Sequence, residues 1–178
     1  MDETEPIGWS KNIFLKWSDF KAEHSPSIFE DSHSEIKFRF TWTVNSDTKN
    51  NEIVFLIENI ELFVEFHPLL SSFRTLEIND NLLKHEQGHF DLAELIKIEN
   101  LEELQNKFYR IQFPTRGQND DQRKQFAKED SGKMIVKGVE KLEELLNIRR
   151  KQYDEQTNFG QNQEKQIEYD LIFNNLRS

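Results

Sequence analysis

One stretch of this chain, residues 82–95, restricts the possible folds more than any other. It reads LLKHEQGHFDLAEL, a helix-forming run with apolar side chains on more than one side, which predicts a helix buried within the fold. Two histidines inside a buried helix need polar partners. Asn79 or Asp80 is expected to cap the helix N-terminus. Gly88 costs about 1 kcal/mol of helix stability relative to alanine, so its presence predicts the close approach of another backbone.

The spacing of the two histidines in this stretch suits metal binding. Positions four apart stand on the same face of an α-helix, so His85 and His89 can ligate one zinc ion. Glu86 lies roughly 100° round the helix from His85 and roughly 60° from His89. From there it can act as the general base that activates water, which makes it the candidate catalytic residue. Because HExxH is a short pattern and two helical histidines are also common in ordinary cores and surfaces, it predicts a metal site only together with its context.

Composition limits the class of protein and the chemistry of any metal site. The 178 residues predict one domain over residues 1–178, with residues 1–12 as a flexible tail. Fifteen phenylalanines and three tryptophans give a chain that is only 35% hydrophobic a large capacity for burial. The net charge of -10 disfavours nucleic acid and anionic membranes as partners. Since the chain has no cysteine, zinc must be held by His, Asp and Glu.

The sequence as given has no signal peptide and no apolar run long enough to span a membrane. A soluble chain is therefore expected. The compartment stays open, because an exported protein whose signal has been removed would look the same as a cytoplasmic one. The oligomeric state is open as well.

An antiparallel sheet of three or four strands is predicted before the motif helix. From Glu35 to Asn45 apolar and polar residues alternate with a period of two, which indicates a strand with one buried face. A polar turn leads into a second apolar run, residues 52–66, in which Asn59 is expected to mark a bulge or a break. Residues 13–20 are predicted as a short strand or anchor, and residues 21–34 as an exposed loop. The aromatic face of the sheet requires a cover, which the motif helix can supply.

Helices are predicted for the rest of the chain. The motif helix is expected to continue to about Tyr109, before Pro114 and Gly117 break it. A second long helix follows Gln118, with Gly160 as its C-terminal cap or turn residue. A short last helix is expected from about Asn162 to Leu176. The predicted fold class is therefore α+β.

Three segments of the chain resemble one known family. These are residues 83–94 (LKHEQGHFDLAE), residues 153–160 (YDEQTNFG) and residues 15–21 (LKWSDFK). They are similar to a bacterial family of zinc-dependent proteases of otherwise unknown function, which belongs with the zincin-like metallopeptidases. The resemblance implies a zincin-like domain with a zinc ion held by His85 and His89. It further implies Glu86 as the base that activates water against the carbonyl of a peptide or protein substrate.

This chain departs from that family pattern at one position. Where the C-terminal Thr-x-His-Gly segment has a histidine suited to be the third zinc ligand, this sequence has Phe159. Asp154 is our candidate replacement, and Glu155 lies on the same segment. An alternative role for Asp154 is to cap or salt-bridge the helix end. The isolated histidines of the chain are further candidates as ligands, although solvated or structural roles are the simpler interpretation for each: His24, His33 and His67.

Two functional classes follow from these candidate ligands. The first is a zinc-dependent metallopeptidase with one zinc ion per chain, weakly held if no third ligand is available. The second is a catalytically inactive zincin-like protein that binds peptides or proteins, and the substitution at Phe159 is the argument for it.

Overall fold

The computed structural model describes residues 4–26 and 30–178 of an α+β fold. Positions 27–29 of the predicted loop over residues 21–34 lie outside these residues. A four-stranded antiparallel sheet contains β1, β3, β4 and β6, and a separate two-stranded sheet contains β2 and β5. The strands are β1 (Ile7–Gly8), β2 (Ser32–His33), β3 (Ile36–Lys49), β4 (Glu52–Phe66), β5 (Ser72–Phe73) and β6 (Gln112–Pro114). The helices are α1 (Asp80–Asn106), α2 (Asp120–Thr157) and α3 (Gln163–Arg177), with short 3-10 helices at Trp17–Asp19 and Pro68–Leu70.

The hairpin of β3 and β4 forms the centre of the larger sheet. Ile36 lies opposite Phe66 and Lys49 lies opposite Glu52, so the two strands pair along nearly their whole length. The alternation predicted for residues 35–45 is confirmed as a strand, which continues four residues further than expected. Asn59 has a φ of 51°, and the register shifts between Thr41 and Thr43, which confirms the predicted bulge.

Two short strands extend the free edge of β4. β1 pairs with its C-terminal end, with Ile7 opposite Phe66. β6 pairs with its N-terminal half, with Phe113 opposite Phe55. The segment expected to be a flexible tail therefore contains a sheet strand, and its first three residues lie outside the described ranges. Residues 13–20 contain the 3-10 helix at Trp17–Asp19 in place of the predicted strand.

Helix α1 is buried on all sides over two turns. Asn79 caps it, as its side chain accepts a hydrogen bond of 2.9 Å from the Leu82 amide. Every residue from His85 to Glu94 except Gln87 is buried, which confirms the predicted buried helix. The helix ends at Asn106, three residues before the predicted end. It packs on β4 and on both later helices.

Helices α2 and α3 form the remaining side of the core. Asn119 and Asn162 cap them by accepting hydrogen bonds from the amides of Gln122 and Lys165. Three successive left-handed residues end α2, and the last is Gly160, as predicted for a turn residue: Asn158, Phe159 and Gly160 have φ values of 47°, 53° and 81°. Among the described residues, no helix combines the length and the apolar character that a membrane span requires.

The neighbour of Gly88 is a side chain, contrary to the predicted backbone. A Cβ atom built on Gly88 would overlap the Tyr153 hydroxyl and would lie 2.7 Å from Cζ of the same ring. Tyr153 is fully buried, and its hydroxyl donates to the carbonyl of His85. The absence of a side chain at position 88 therefore lets α2 approach the motif turn of α1.

Substitution of this glycine should destabilise the protein. Gly88→Ala gains about 1 kcal/mol of helix propensity, but displacement of a fully buried tyrosine costs roughly 1–3 kcal/mol or more. We expect a lower melting temperature and a lower free energy of unfolding, measured by thermal and urea denaturation. Gly132→Ala is the control, because its new methyl group would meet only the ring of Trp42, at 3.1 Å. A Gly88→Ala variant more stable than wild type would contradict the assigned contact.

Candidate metal centre

Three side chains from two helices converge at one point. Nε2 of His85 lies 3.0 Å from Oδ1 of Asp154, and Nε2 of His89 lies 2.9 Å from the same oxygen. The potential donor atoms of the three residues all lie within 4.8 Å of one another. They are the one group of His, Asp and Glu within residues 4–26 and 30–178 that is arranged to hold a metal ion. The structure therefore brings Asp154, among the proposed third ligands, next to the histidine pair.

The other proposed third ligands lie outside this group. Glu155 is exposed and faces Lys151, on the outer side of α2. His67 lies 3.9 Å from Glu65. The two loop histidines have partners of their own: His24 contacts Ser72 at 3.2 Å, and His33 contacts Glu35 at 3.3 Å.

Asp154 is a charged carboxylate between two imidazoles. Burial raises the pKa of its carboxyl group, but hydrogen bonds and charge interactions with His85 and His89 outweigh this effect and hold the pKa well below its usual range. A carboxylate that stays ionised at neutral pH is suited to bind a cation. The alternative role as a helix-end cap is not observed, because both short contacts of Oδ1 are with histidines of α1.

Polar groups of α2 and α3 orient the ring of His85. Thr157 donates its hydroxyl proton to the carbonyl of Tyr153 at 2.7 Å, so its oxygen is free to accept from Nδ1 of His85, 3.3 Å away. Oε1 of Gln166 lies 3.4 Å from the same nitrogen. The Tyr153 ring stacks on the imidazole at a centroid distance of 4.5 Å. Because Nδ1 faces these acceptors, Nε2, which faces Asp154, is the nitrogen that would bind a metal.

Glu86 faces the same cleft with one oxygen held and the other free. Its Oε1 accepts a hydrogen bond of 2.6 Å from the hydroxyl of Ser32, and its buried Oε2 has no hydrogen-bond partner among the described residues. Burial raises the pKa of this carboxyl group, but His89, His85 and the hydroxyls of Ser32 and Ser34 together lower it below the usual value. Glu86 is therefore an ionised carboxylate with an unused acceptor atom.

His89 is kept neutral at physiological pH. Burial is the main cause that lowers its pKa from 6.5 to about 4, and the positive charge of Arg150 acts in the same direction. The interaction with Asp154 opposes the shift without cancelling it. A neutral imidazole is the form that binds metals.

Phe159 lies beside this centre although it cannot bind a metal. Its ring centroid is 6.5 Å from that of His85, and the side chain is 40% exposed. The left-handed backbone at this residue is unusual for an aromatic side chain. Position 159 is thus next to His85, while Asp154 lies between the two histidines.

A cleft of about 660 Å³ opens over the three residues. Two of its lining residues are apolar, Leu82 and Phe159, and the others are mainly polar or acidic. Glu30, Asp31 and Glu77 contribute carboxylates, and Arg150 is the one Lys or Arg in the described lining. The centre is therefore accessible to a molecule in solution.

Comparisons with protein-family models, with curated proteins and with solved structures found no match to this chain. The chemistry of the cleft is therefore inferred from its own residues.

Several residues of the site were not identified from the sequence. Ser32 holds Glu86, Tyr153 and Thr157 position His85, and Arg150 lies in the cleft. Arg150 could have been found from the sequence, because it lies four residues before Asp154 and therefore on the same face of α2. Ser32 has no such signal, because its strand is two residues long and its partner is 54 residues away.

Without metal, the protein should lose stability in mild acid. In the unfolded chain His89 takes up a proton near pH 6.5, whereas in the folded protein it does so at about pH 4. Between these values the unfolded state binds more protons, so the free energy of unfolding falls as the pH is lowered, by up to about 3 kcal/mol. Denaturant unfolding at several pH values in this window, with a chelator present, measures the loss.

Two histidine variants test whether His89 causes this dependence of stability on pH. His89→Gln should flatten the slope between pH 6.5 and 4, because glutamine takes up no proton. His24→Gln is the matched control, since it removes a histidine outside the centre and should keep the slope. An unchanged slope in His89→Gln would show that another group causes it.

Proposed function

We propose that this protein is a zinc-dependent metallopeptidase in which His85, His89 and Asp154 hold the metal and Glu86 is the general base. The observation that carries the proposal is the convergence of two imidazole Nε2 atoms on one charged carboxylate oxygen, next to an ionised glutamate with a free acceptor atom. Three protein ligands and one open position are typical of catalytic zinc, whereas structural zinc is held by four.

The three residues suit a zinc ion in chemistry, and two of their separations suit it in length. Two ligands about 2.0–2.1 Å from a tetrahedral zinc ion are about 3.3 Å apart. The two separations that involve Oδ1 of Asp154, 3.0 and 2.9 Å, are close to this value, and all the donor atoms lie within 4.8 Å of one another. Both histidines present Nε2, and the acceptors at Nδ1 of His85 supply the outer support common for metal-ligating histidines.

Zinc, when bound, supplies Lewis-acid chemistry that polarises a carbonyl and makes water more acidic. The protein residues do the remaining work. Oε2 of Glu86 accepts a proton from the attacking water and can return it to the leaving nitrogen. The hydrogen bond from Ser32 to Oε1 fixes the orientation of that carboxylate.

The short strand β2 supports an extended peptide as the substrate. Ser32 belongs to β2, and residues 30–32 line the cleft. β2 pairs with β5 along one edge. An extended peptide that adds to its other edge would pass over the catalytic residues. The relation to the zincin-like protease family is part of this proposal, and HEQGHFD on a buried helix beside an antiparallel sheet supports it.

An inactive peptide-binding protein is the second candidate function. The exposed ring of Phe159 in the cleft favours it, because an aromatic residue at this place contributes to binding and not to metal ligation. The zinc content of the protein and the activity of a Glu86 variant distinguish the peptidase from the inactive peptide-binding protein.

Zinc should bind with a stoichiometry of about one per chain and should raise the melting temperature in a chelator-sensitive manner. His85→Ala should abolish binding. Asp154→Asn should weaken it by more than the roughly 10–100-fold typical of outer-shell changes, because it removes a charged ligand. Elemental analysis and competition with a zinc chelator measure both effects.

Glu155→Gln is the matched control for Asp154→Asn, because it removes one negative charge from the adjacent, exposed position. It should leave zinc affinity unchanged. Zinc-free protein under zinc-replete conditions would exclude the peptidase. Equal affinities of Asp154→Asn and wild type would exclude Asp154 as a ligand.

Glu86→Gln should abolish peptide hydrolysis and leave zinc bound. Glutamine has nearly the same shape as glutamate but cannot accept the proton, so we expect a loss of at least roughly 100-fold in kcat. Cleavage of casein, followed by mass spectrometry together with the zinc content, tests this. Undiminished cleavage in the variant would indicate a contaminant or another base.

A further inference from the structure

Among the residues that the structure describes, Arg150 is a cation without a partner, and it lies at the edge of the candidate metal centre. It is half-buried and lines the cleft with His89 and Asp154. Within residues 4–26 and 30–178 it has no hydrogen bond and no ion pair, although the carboxylates of Glu30, Asp31 and Glu77 line the same cleft. The neighbouring Arg149, by contrast, pairs with Glu99 of α1.

The position of Arg150 on α2 directs it to the reacting end of the cleft. Residues 150 and 154 are one turn apart on the same helix face, about 6 Å along the axis. Its charge also acts on His89 and Glu30, which line the same cleft. A partly desolvated guanidinium at such a place is suited to bind an oxygen anion.

We propose that Arg150 is a catalytic residue that donates hydrogen bonds to the oxyanion formed on the scissile carbonyl during peptide hydrolysis. This inference rests on the proposed peptidase function. In the step concerned, the water oxygen bonds to the carbonyl carbon, the π electron pair moves onto the carbonyl oxygen, and the water proton passes to Glu86. The carbonyl then re-forms, the C–N bond breaks, and the proton reaches the leaving nitrogen. Arg150 acts on the oxygen that is negative only between these two events.

The charges of the cleft favour this role over recognition of an anionic substrate. Glu30, Asp31 and Glu77 would repel a peptide that carries a carboxylate near the scissile bond. The oxyanion on the scissile carbonyl is negative only during the reaction, so these carboxylates do not repel the uncharged peptide group when the substrate binds. An unpaired guanidinium therefore serves the transition state better than the ground state.

The test compares Arg150→Met with Arg149→Met, which removes the same charge from the adjacent position outside the cleft. In the zinc-loaded protein, Arg150→Met should lower kcat for casein-derived peptides roughly 100-fold with little change in KM, while Arg149→Met should behave as wild type. Arg150→Lys should recover part of the rate, because lysine keeps the charge without the planar fork. Zinc affinity should not weaken in Arg150→Met, since a like charge has been removed from the metal site.

A second measurement does not depend on turnover. Methylphosphonate, a tetrahedral oxyanion without side chains, should bind zinc-loaded wild type at least roughly tenfold more tightly than Arg150→Met, as measured by calorimetry. Equal binding and equal kcat in the two proteins would overturn the role of Arg150 and leave the peptidase proposal intact.

Two further outcomes separate the remaining possibilities. If Arg150→Met loses activity only toward peptides with a free C-terminal carboxylate and not toward their amidated forms, Arg150 recognises the substrate carboxylate, and the oxyanion role is overturned. If wild type binds no zinc, the proposed function fails, and the inference fails with it.

Discussion

The contact on which the rest of this structure depends is the carboxylate of Asp154 between the imidazoles of His85 and His89. A fully buried helix with two histidines in one turn is costly unless their nitrogens are paired. Oδ1 of Asp154 meets both, at 3.0 and 2.9 Å. The same contact requires α2 to lie close to α1, which the missing side chain of Gly88 permits. Packing of α2 against α1 therefore also brings the three candidate ligands together.

A second buried carboxylate fixes the opposite side of α1. Asp91 accepts hydrogen bonds from the indole of Trp9 and the amide of Gln87, and it pairs with Arg177. Arg177 also donates to the carbonyls of Ser10, Lys11 and Ile13. The N-terminal segment and the end of α3 thus meet on the turn that follows His89. This explains why residues 7–12 belong to the fold although they were predicted to be part of a flexible tail.

Patterns among neighbouring residues predicted most of the helices and strands, but not which distant residues contact one another. The alternation in β3, the bulge at Asn59 and the caps at Asn79 and near Gly160 depend on neighbours in sequence, and the structure agrees with each. Strands of two or three residues, such as β2 and β6, are too short to show a period. The choice of Asp154 over Glu155 depends on which face of α2 turns to α1. Tyr153 and its contact with Gly88 decide that face, and no local pattern contains this information.

In the proposed zinc centre, a phenylalanine at position 159, where the family that the chain resembles has a histidine, changes the charge of the centre and not only its ligands. A dication held by three neutral imidazoles keeps two units of positive charge, whereas one held by two imidazoles and the carboxylate of Asp154 keeps one. The centre with the carboxylate would therefore stabilise an oxyanion less strongly. Arg150, one turn before Asp154 and without a partner among the described residues, supplies one positive charge at the same edge of the cleft. In the proposed centre, Asp154 as a ligand and Arg150 beside it would together give the charge that a third histidine would have left in place.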